Sequence, residues 1–537
     1  MFRKTIDSFY VRLDTVTIIF HSYVEENAKL LIALAIVVMA AYGFELFNLN
    51  ITIDEEIHAA YSHSTTAWVQ QGRWGMFLLN KFIFPYTIIP FMPLFVALVF
   101  HVASMLLLLN IWGIKSRVEQ FLIGSIGIVC PIIAYMYTFS TINFGIGVGL
   151  FCAALSLFMY SKSNGLYKFF AVLPAAFSIA IYQGFLLVLF SIFLVHLVTV
   201  GMRTGKVPIK DLFFISGILV LSALIYYIVQ NLIVIIINVP EGSYASGYFD
   251  TAYLLQNFGT TLFRIGSTMR SVYFGDKAIY AVEMPTLGAL VILAATSFVL
   301  DILRQNSSIA VKVVLVLFLC VLIFLPFSSG ILMGGTLAMR FLISLPVTLS
   351  AVVMLGMSYS SKMLKLVLTL LAAFCLFQFA VSTNRLFASS YLALQEDRLL
   401  ASRLIVRIED AIDEAKSTEE LKYMEIIGSL NKPSTQLIPV IETFGVSFFD
   451  WDQGNPIRVL AFLRTLGYEG LQPLPIDRRF EMVEYETVMP SWPQKGSVRV
   501  IGDVVLIKFG SYSETQRQAI CNNEQKRQIQ IEAFCKQ

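Results

Sequence analysis

Charge is what this chain has least of. Of its 537 residues only 14% are Asp, Glu, Lys or Arg, and 57% are hydrophobic. A soluble domain carries roughly 25% charged residues. That scarcity, with a mean hydropathy of +0.73, excludes a soluble globular enzyme and marks an integral membrane protein. Glycine-rich phosphate loops are missing as well. There is no Walker A sequence and no convincing GxGxxG, so a soluble nucleotide has no seat and any activated donor must come from the membrane or the outer compartment. Histidine is sparse, at five residues. His58 and His63 lie five apart with no further His or Cys on their side to complete a site, so a metal centre is not expected. No alternating ten-residue pattern marks an outer-membrane barrel. A net charge of +3 does not call for nucleic acid. The arm at residues 1–29 lacks the apolar core and small-residue cleavage site of a signal peptide. It reads as an amphipathic helix on the membrane surface or a solvated arm.

What the chain does have is long apolar runs. A membrane span needs roughly 20 such residues. The runs at 29–49, 90–113, 121–139, 143–160, 212–239, 285–303, 309–327, 341–359 and 364–382 predict one span each, with Pro131 kinking the third. The stretch 168–200 is too long for one helix, and the polar Tyr182-Gln183-Gly184 splits it into two short ones. The expectation is an all-α polytopic bundle of about eleven transmembrane helices. One set of loops carries Lys or Arg in pairs or more: Arg3, Lys4 and Arg12; Lys115 and Arg117; Lys162 and Lys168; Arg203, Lys206 and Lys210; Arg304 and Lys312; Lys362 and Lys365. By the positive-inside rule that side is cytoplasmic. Residues 50–89, 240–284, 328–340 and everything after 384 then lie outside.

After residue 385 the composition turns polar, and 386–537 is long enough for one small domain. It opens on a helical pattern. Strand-like runs at 423–430 and 498–510 follow, separated by turn sequences such as NKP and PSWPQKG. A small α/β domain is expected. Its Cys521 and Cys535 either pair or remain as two thiols. The four cysteines in apolar runs are small core residues.

The polar residues of the outer loops are the candidate site. Residues 50–81 hold Asp54, Glu55 and Glu56 directly after the first span. Three adjacent carboxylates on a helix point in different directions, so they cannot all serve one site. An acidic triplet is ordinarily a solvated loop or a helix N-terminus. Here Asp54, His58 and Tyr61 recur on one helical face beside a bilayer, where ionisable groups are functional by default. Arg73 and Trp74 in QGRWG are either interfacial anchors or a phosphate grip and a sugar-stacking ring. Tyr182 and Gln183 form either a plain turn or a substrate contact. Arg264, Arg270 and Arg340 stand against the charge bias of their side. A cation so placed needs an anion, and a lipid phosphate is available.

Together these features resemble the bacterial serotype-converting glucosyltransferase family called glucosyltransferase II, within the wider GT-C class of membrane glycosyltransferases. The resemblance rests on ITIDEE opening the first outer loop, QGRW ahead of the second span, YQ between short helices, AMRFLISLP heading a late span, and the helix NRLF…EDRLLASRLIVRI. It divides the chain into a GT-C-like transmembrane domain, 1–385, with outer loops 50–89 and 240–284, and a periplasmic α/β domain, 386–537. It implies a hexosyltransferase of the bacterial inner membrane that needs no cofactor. The donor would be a polyprenyl-phosphate-linked hexose, most often glucose. The acceptor would be a sugar hydroxyl of O-antigen or lipopolysaccharide on the periplasmic face. A donor synthase and a flippase would stand upstream. It also implies that one of Asp54, Glu55 and Glu56 is the essential loop carboxylate. A phosphate leaving group needs no strong acid, so one base suffices. Arg264, Arg270 or Arg340 would hold the phosphate, and Trp74 and Tyr182 would position sugars. The rivals are a transporter or flippase for a lipid-linked sugar and an O-antigen polymerase or ligase. Transporters concentrate ionisable groups near mid-membrane in repeated halves, whereas here they gather at one mouth.

Overall fold

The computed structural model describes residues 2–61, 65–85, 88–239, 256–415, 420–522 and 534–535. Among these, nine helices are long and apolar enough to cross a membrane. Two shorter apolar helices, Gly165–Ile181 and Leu345–Ser358, accompany them. Each expected run maps to one of these helices. The protein is a polytopic helical bundle carrying a small α/β region.

Local chemistry sets the breaks. The helix Arg117–Val129 stops at Cys130, which is extended (ψ 123°) ahead of Pro131. Proline offers no N–H to the preceding turn and disfavours helical geometry in the residue before it. The chain resumes as a 3-10 turn and the short helix Ala134–Tyr137. Close helix packing uses a small residue at the crossing. A Cβ on Gly147, in Asn143–Lys162, would lie 2.3 Å from the Ala97 carbonyl oxygen of Met92–Trp112. Helices in lipid associate through such close approach rather than through a hydrophobic drive.

The first span is the second part of one helix, Phe2–Phe47. The last span belongs to a 54-residue helix, Lys362–Ala415. No Gly or Pro interrupts residues 362–415, so the helix passes through the compositional change near 385 without a break. Its polar half is built into the α/β region. Asp397, fully buried, accepts hydrogen bonds from Lys432 Nζ (2.9 Å), Ser447 Oγ (2.7 Å) and the Phe448 N–H (2.7 Å). The sheet has four strands: β1 Tyr423–Ile427, β2 Gln472–Pro473, β3 Val498–Ile501 and β4 Val504–Lys508. Their order is β2-β1-β4-β3. β1 runs parallel to both its neighbours, and β3–β4 is an antiparallel hairpin. The two strand-like runs read from the sequence are β1 and the β3–β4 hairpin; β2 was not among them. Cys521 and Cys535 form a disulfide.

Loop contacts gather at two places. At one end Lys365 pairs with Glu119 (2.6 Å), Arg203 donates to the Trp112 carbonyl (2.9 Å) and Lys312 to that of Leu303 (2.6 Å). At the other, the first loop, the turns at Ser140 and Gln183, the segment through Arg340 and the α/β region meet.

Candidate functional site

The first loop leaves its span at Phe47 and re-enters helix at Glu55–Ala60. Asp54 precedes that helix with φ 73°, in the left-handed region that Asp tolerates better than most residues. An Asp in this position ordinarily caps its helix. Asp54 makes no capping bond, and its side chain is turned outward, 64% exposed. The next two carboxylates are fully buried and diverge. Glu55 accepts from the N–H and hydroxyl of Ser140 and from the Thr52 N–H (2.9 Å) and hydroxyl (3.2 Å). Burial pushes its pKa up to about 7 against these bonds. Glu56 takes a 2.6 Å ion pair from Arg458 of the α/β region. Burial raises it to about 7 as well, with the guanidinium opposing.

A cavity of about 340 Å³ opens beside this helix. Of the three carboxylates only Asp54 lines it. His58, Trp68, Arg73, Tyr182 and Arg340 line it as well, with Ile57, Met136, Phe139 and Phe341 as apolar wall. Rings and guanidinium stack in sequence. His58 lies parallel to Trp68, centroids 6.4 Å apart. Arg73 Cζ sits 5.7 Å from the Trp68 centroid and 5.0 Å from that of Tyr182. Such faces suit the apolar side of a sugar ring, and the guanidinium suits an anion.

The turn that builds this wall is held from below. Gly72 has φ 74°, and a Cβ there would meet Gln183 Nε2 and Tyr226 Oη at 2.8 Å. Gln183 donates to the Gln71 carbonyl (2.8 Å), Tyr226 to that of Gly72 (2.9 Å) and Gln230 to that of Val69 (2.7 Å). Gln183 is therefore a support of the turn and not part of the cavity wall. Trp74 is likewise outside the wall. It is buried, its indole donates to the Tyr226 carbonyl (3.3 Å), and it packs edge-on to Phe177. The aromatic that reaches the cavity is Trp68, one short helix earlier.

Arg340 comes to the cavity on the 3-10 turn Met339–Leu342, its guanidinium 5.6 Å from the Phe341 ring centroid. Glu442 of the α/β region pins that turn by accepting from the Met339 N–H (2.9 Å). Burial raises the Glu442 carboxyl, and that bond and the Arg340 charge counter it. Arg264 and Arg270, on Phe258–Tyr273, do not line the cavity. Both are exposed, and Arg264 donates to the Gly334 carbonyl (3.4 Å). His63 lies outside the described residues. Sequence reasoning missed Trp68, Ser140, Tyr226 and Arg458. Trp68 carried a signal, an aromatic one turn ahead of the QGRW element. Ser140 and Arg458 carried none, because they are 85 and 402 residues or more from the carboxylates they hold.

The structure is thus a helical bundle of the membrane-spanning kind with a cavity at one end, walled by one carboxylate, two arginines and stacked aromatics. The family model described as Glucosyl transferase GtrII matches residues 43–357. That is more than half of the chain and includes every residue of the cavity wall. The chain belongs to this glucosyl transferase family and is a glycosyltransferase. No curated protein and no solved structure matches it.

Proposed function

We propose that the protein transfers a hexose, glucose by its family, from a polyprenyl-phosphate donor to a sugar hydroxyl of O-antigen or lipopolysaccharide. The reaction runs at the periplasmic face of the bacterial inner membrane, with Asp54 as the base. The observation that carries this reading is the position of Asp54 on the wall of the cavity that Arg73 and Arg340 also line, while Glu55 and Glu56 are buried and bonded elsewhere. The acceptor oxygen attacks the anomeric carbon as its proton passes to the Asp54 carboxylate. The bond from that carbon to the phosphate oxygen breaks, and the phosphate leaves with the electron pair. Arg340 and Arg73 meet the charge that grows on it. Trp68, His58 and Tyr182 hold sugar faces, and the polyprenyl chain runs along the apolar bundle.

The charge pattern of the loops supports an outer location for the site. The Cys521–Cys535 disulfide supports an oxidising compartment. A donor that arrives already loaded on the outer leaflet requires an upstream transferase and a flippase. The test uses the purified protein in proteoliposomes with polyprenyl-phosphate glucose and lipid-linked O-antigen. Mass analysis should find one added hexose per repeat and free polyprenyl phosphate. Movement of intact donor across the bilayer without product would make the protein a transporter. Lengthened glycan without a branch would make it a polymerase.

A further inference from the structure

The family match ends at residue 357, yet the carboxylates of the first loop are held from beyond it. Arg458 lies on the helix Pro456–Thr465, which packs against Glu55–Ala60. Its guanidinium donates through Nη2 to Asp54 (2.9 Å), through Nη1 to Glu56 (2.6 Å) and through Nε to Asp452. Only 13% of the side chain is exposed. A guanidinium presents its donors in a rigid planar fork, so three bonds fix its orientation and that of the acids it binds. The same helix places Arg464 over the Tyr61 ring at 4.5 Å. The helix that bears Asp54 is thus gripped at both ends.

Two purposes would account for Arg458. It could simply tie one region to the other, or it could aim the Asp54 carboxylate. The left-handed backbone and absent cap bond of Asp54 favour the second. Its carboxylate is aimed by Arg458 and not by its own helix. The charged and titratable groups around it are Arg458 and, behind that, Asp452; Glu55 and Glu56 beside it; His58 one turn on; and Arg73, Tyr182 and Arg340 across the cavity.

We propose that Arg458 is a positioning residue for glycosyl transfer: the C-terminal region supplies, within the same chain, the guanidinium that aims Asp54 into the cavity. This rests on the reading of Asp54 as base. Without that fork the Asp54 carboxylate is free to turn away from the acceptor hydroxyl, so the chemical step slows while donor binding is kept.

The experiment measures kcat and KM for lipid-phosphate glucose with the full-length protein in nanodiscs. Arg458→Gln should lower kcat by about tenfold, while KM for the donor stays within about twofold. Arg458→Lys keeps the charge but not the planar fork and should recover only part of kcat. Arg385→Gln removes a contact of the C-terminal region elsewhere, a 2.9 Å bond to the Gln436 carbonyl, and should leave kcat in place. Wild-type kcat in Arg458→Gln, or an equal fall in Arg385→Gln, overturns the proposal. If Arg458→Gln does not accumulate, Arg458→Lys decides, and wild-type kcat there overturns the proposal. Asp54→Asn separates the two readings. If it keeps full kcat, the base assignment fails and the role of Arg458 with it. If it is inactive while Arg458→Gln keeps wild-type kcat, only the role of Arg458 fails.

Discussion

Replacing Glu55 by Gln tests the buried half of the site most sharply, because its effect should depend on pH. The Glu55 carboxyl is fully buried and titrates near 7 in the folded protein, against an ordinary value of 4.5. A carboxyl raised in this way holds its proton in the native state when the unfolded chain has lost it. Its contribution is therefore complete below about pH 4.5 and declines as pH rises towards 7. Each pH unit between those two values is worth roughly 1.4 kcal/mol, so the decline amounts to about 3 kcal/mol and is complete a little above pH 7. The amide of Glu55→Gln cannot ionise and escapes that loss. It carries its own cost. Four donors from Thr52 and Ser140 converge on the two carboxylate oxygens, and an amide nitrogen cannot accept from any of them. One backbone N–H is stranded, at about 1–3 kcal/mol. Glu55→Gln should thus gain about 2 kcal/mol on wild type between pH 5.5 and pH 8.5. The assay is the melting midpoint of both proteins in the same detergent, read at half-unit steps. A difference that stays constant across that range would refute the buried-carboxyl account.

Other outcomes follow from the same geometry. Gly72→Ala places a methyl against Gln183 and Tyr226 at a left-handed φ, so it should cost more than the roughly 1 kcal/mol of strain alone and depress both melting midpoint and transfer. Arg340→Ala should reduce kcat by about a hundredfold, while Arg264→Ala and Arg270→Ala, outside the cavity, should stay near wild type in the same transfer assay. Trp68→Ala should raise KM through loss of ring contact, whereas Trp74→Phe should lower the melting midpoint with KM intact, as substrate-titration curves for the two will show.

The membrane architecture was legible because apolar runs of span length have no other common use, and because Tyr182-Gln183 interrupts the one ambiguous stretch. The acidic triplet stood out in the sequence, but not the different surroundings of its three side chains. Those surroundings depend on Ser140 and Arg458, which reach the triplet through folding alone. Trp68 and Trp74 look alike in a linear reading. Which one faces the cavity is decided by the turn at Gly72 and its anchor, Tyr226. Arg264 and Arg270 stood out as outer cations, yet an exposed arginine also satisfies itself with water and a carbonyl. The continuity of Lys362–Ala415 was hidden because composition changes where helical propensity does not.

The central claim is that Asp54, alone of the three first-loop carboxylates, takes the acceptor proton. The direct measurement is single-turnover transfer at pH 8 by folded Asp54→Asn, Glu55→Gln and Glu56→Gln proteins, with donor binding measured in parallel. Asp54→Asn should lose about 10²–10⁴ in rate with donor binding retained, and the other two should keep measurable turnover. Wild-type rate in Asp54→Asn, or loss of chemistry confined to Glu55→Gln or Glu56→Gln, would contradict the account.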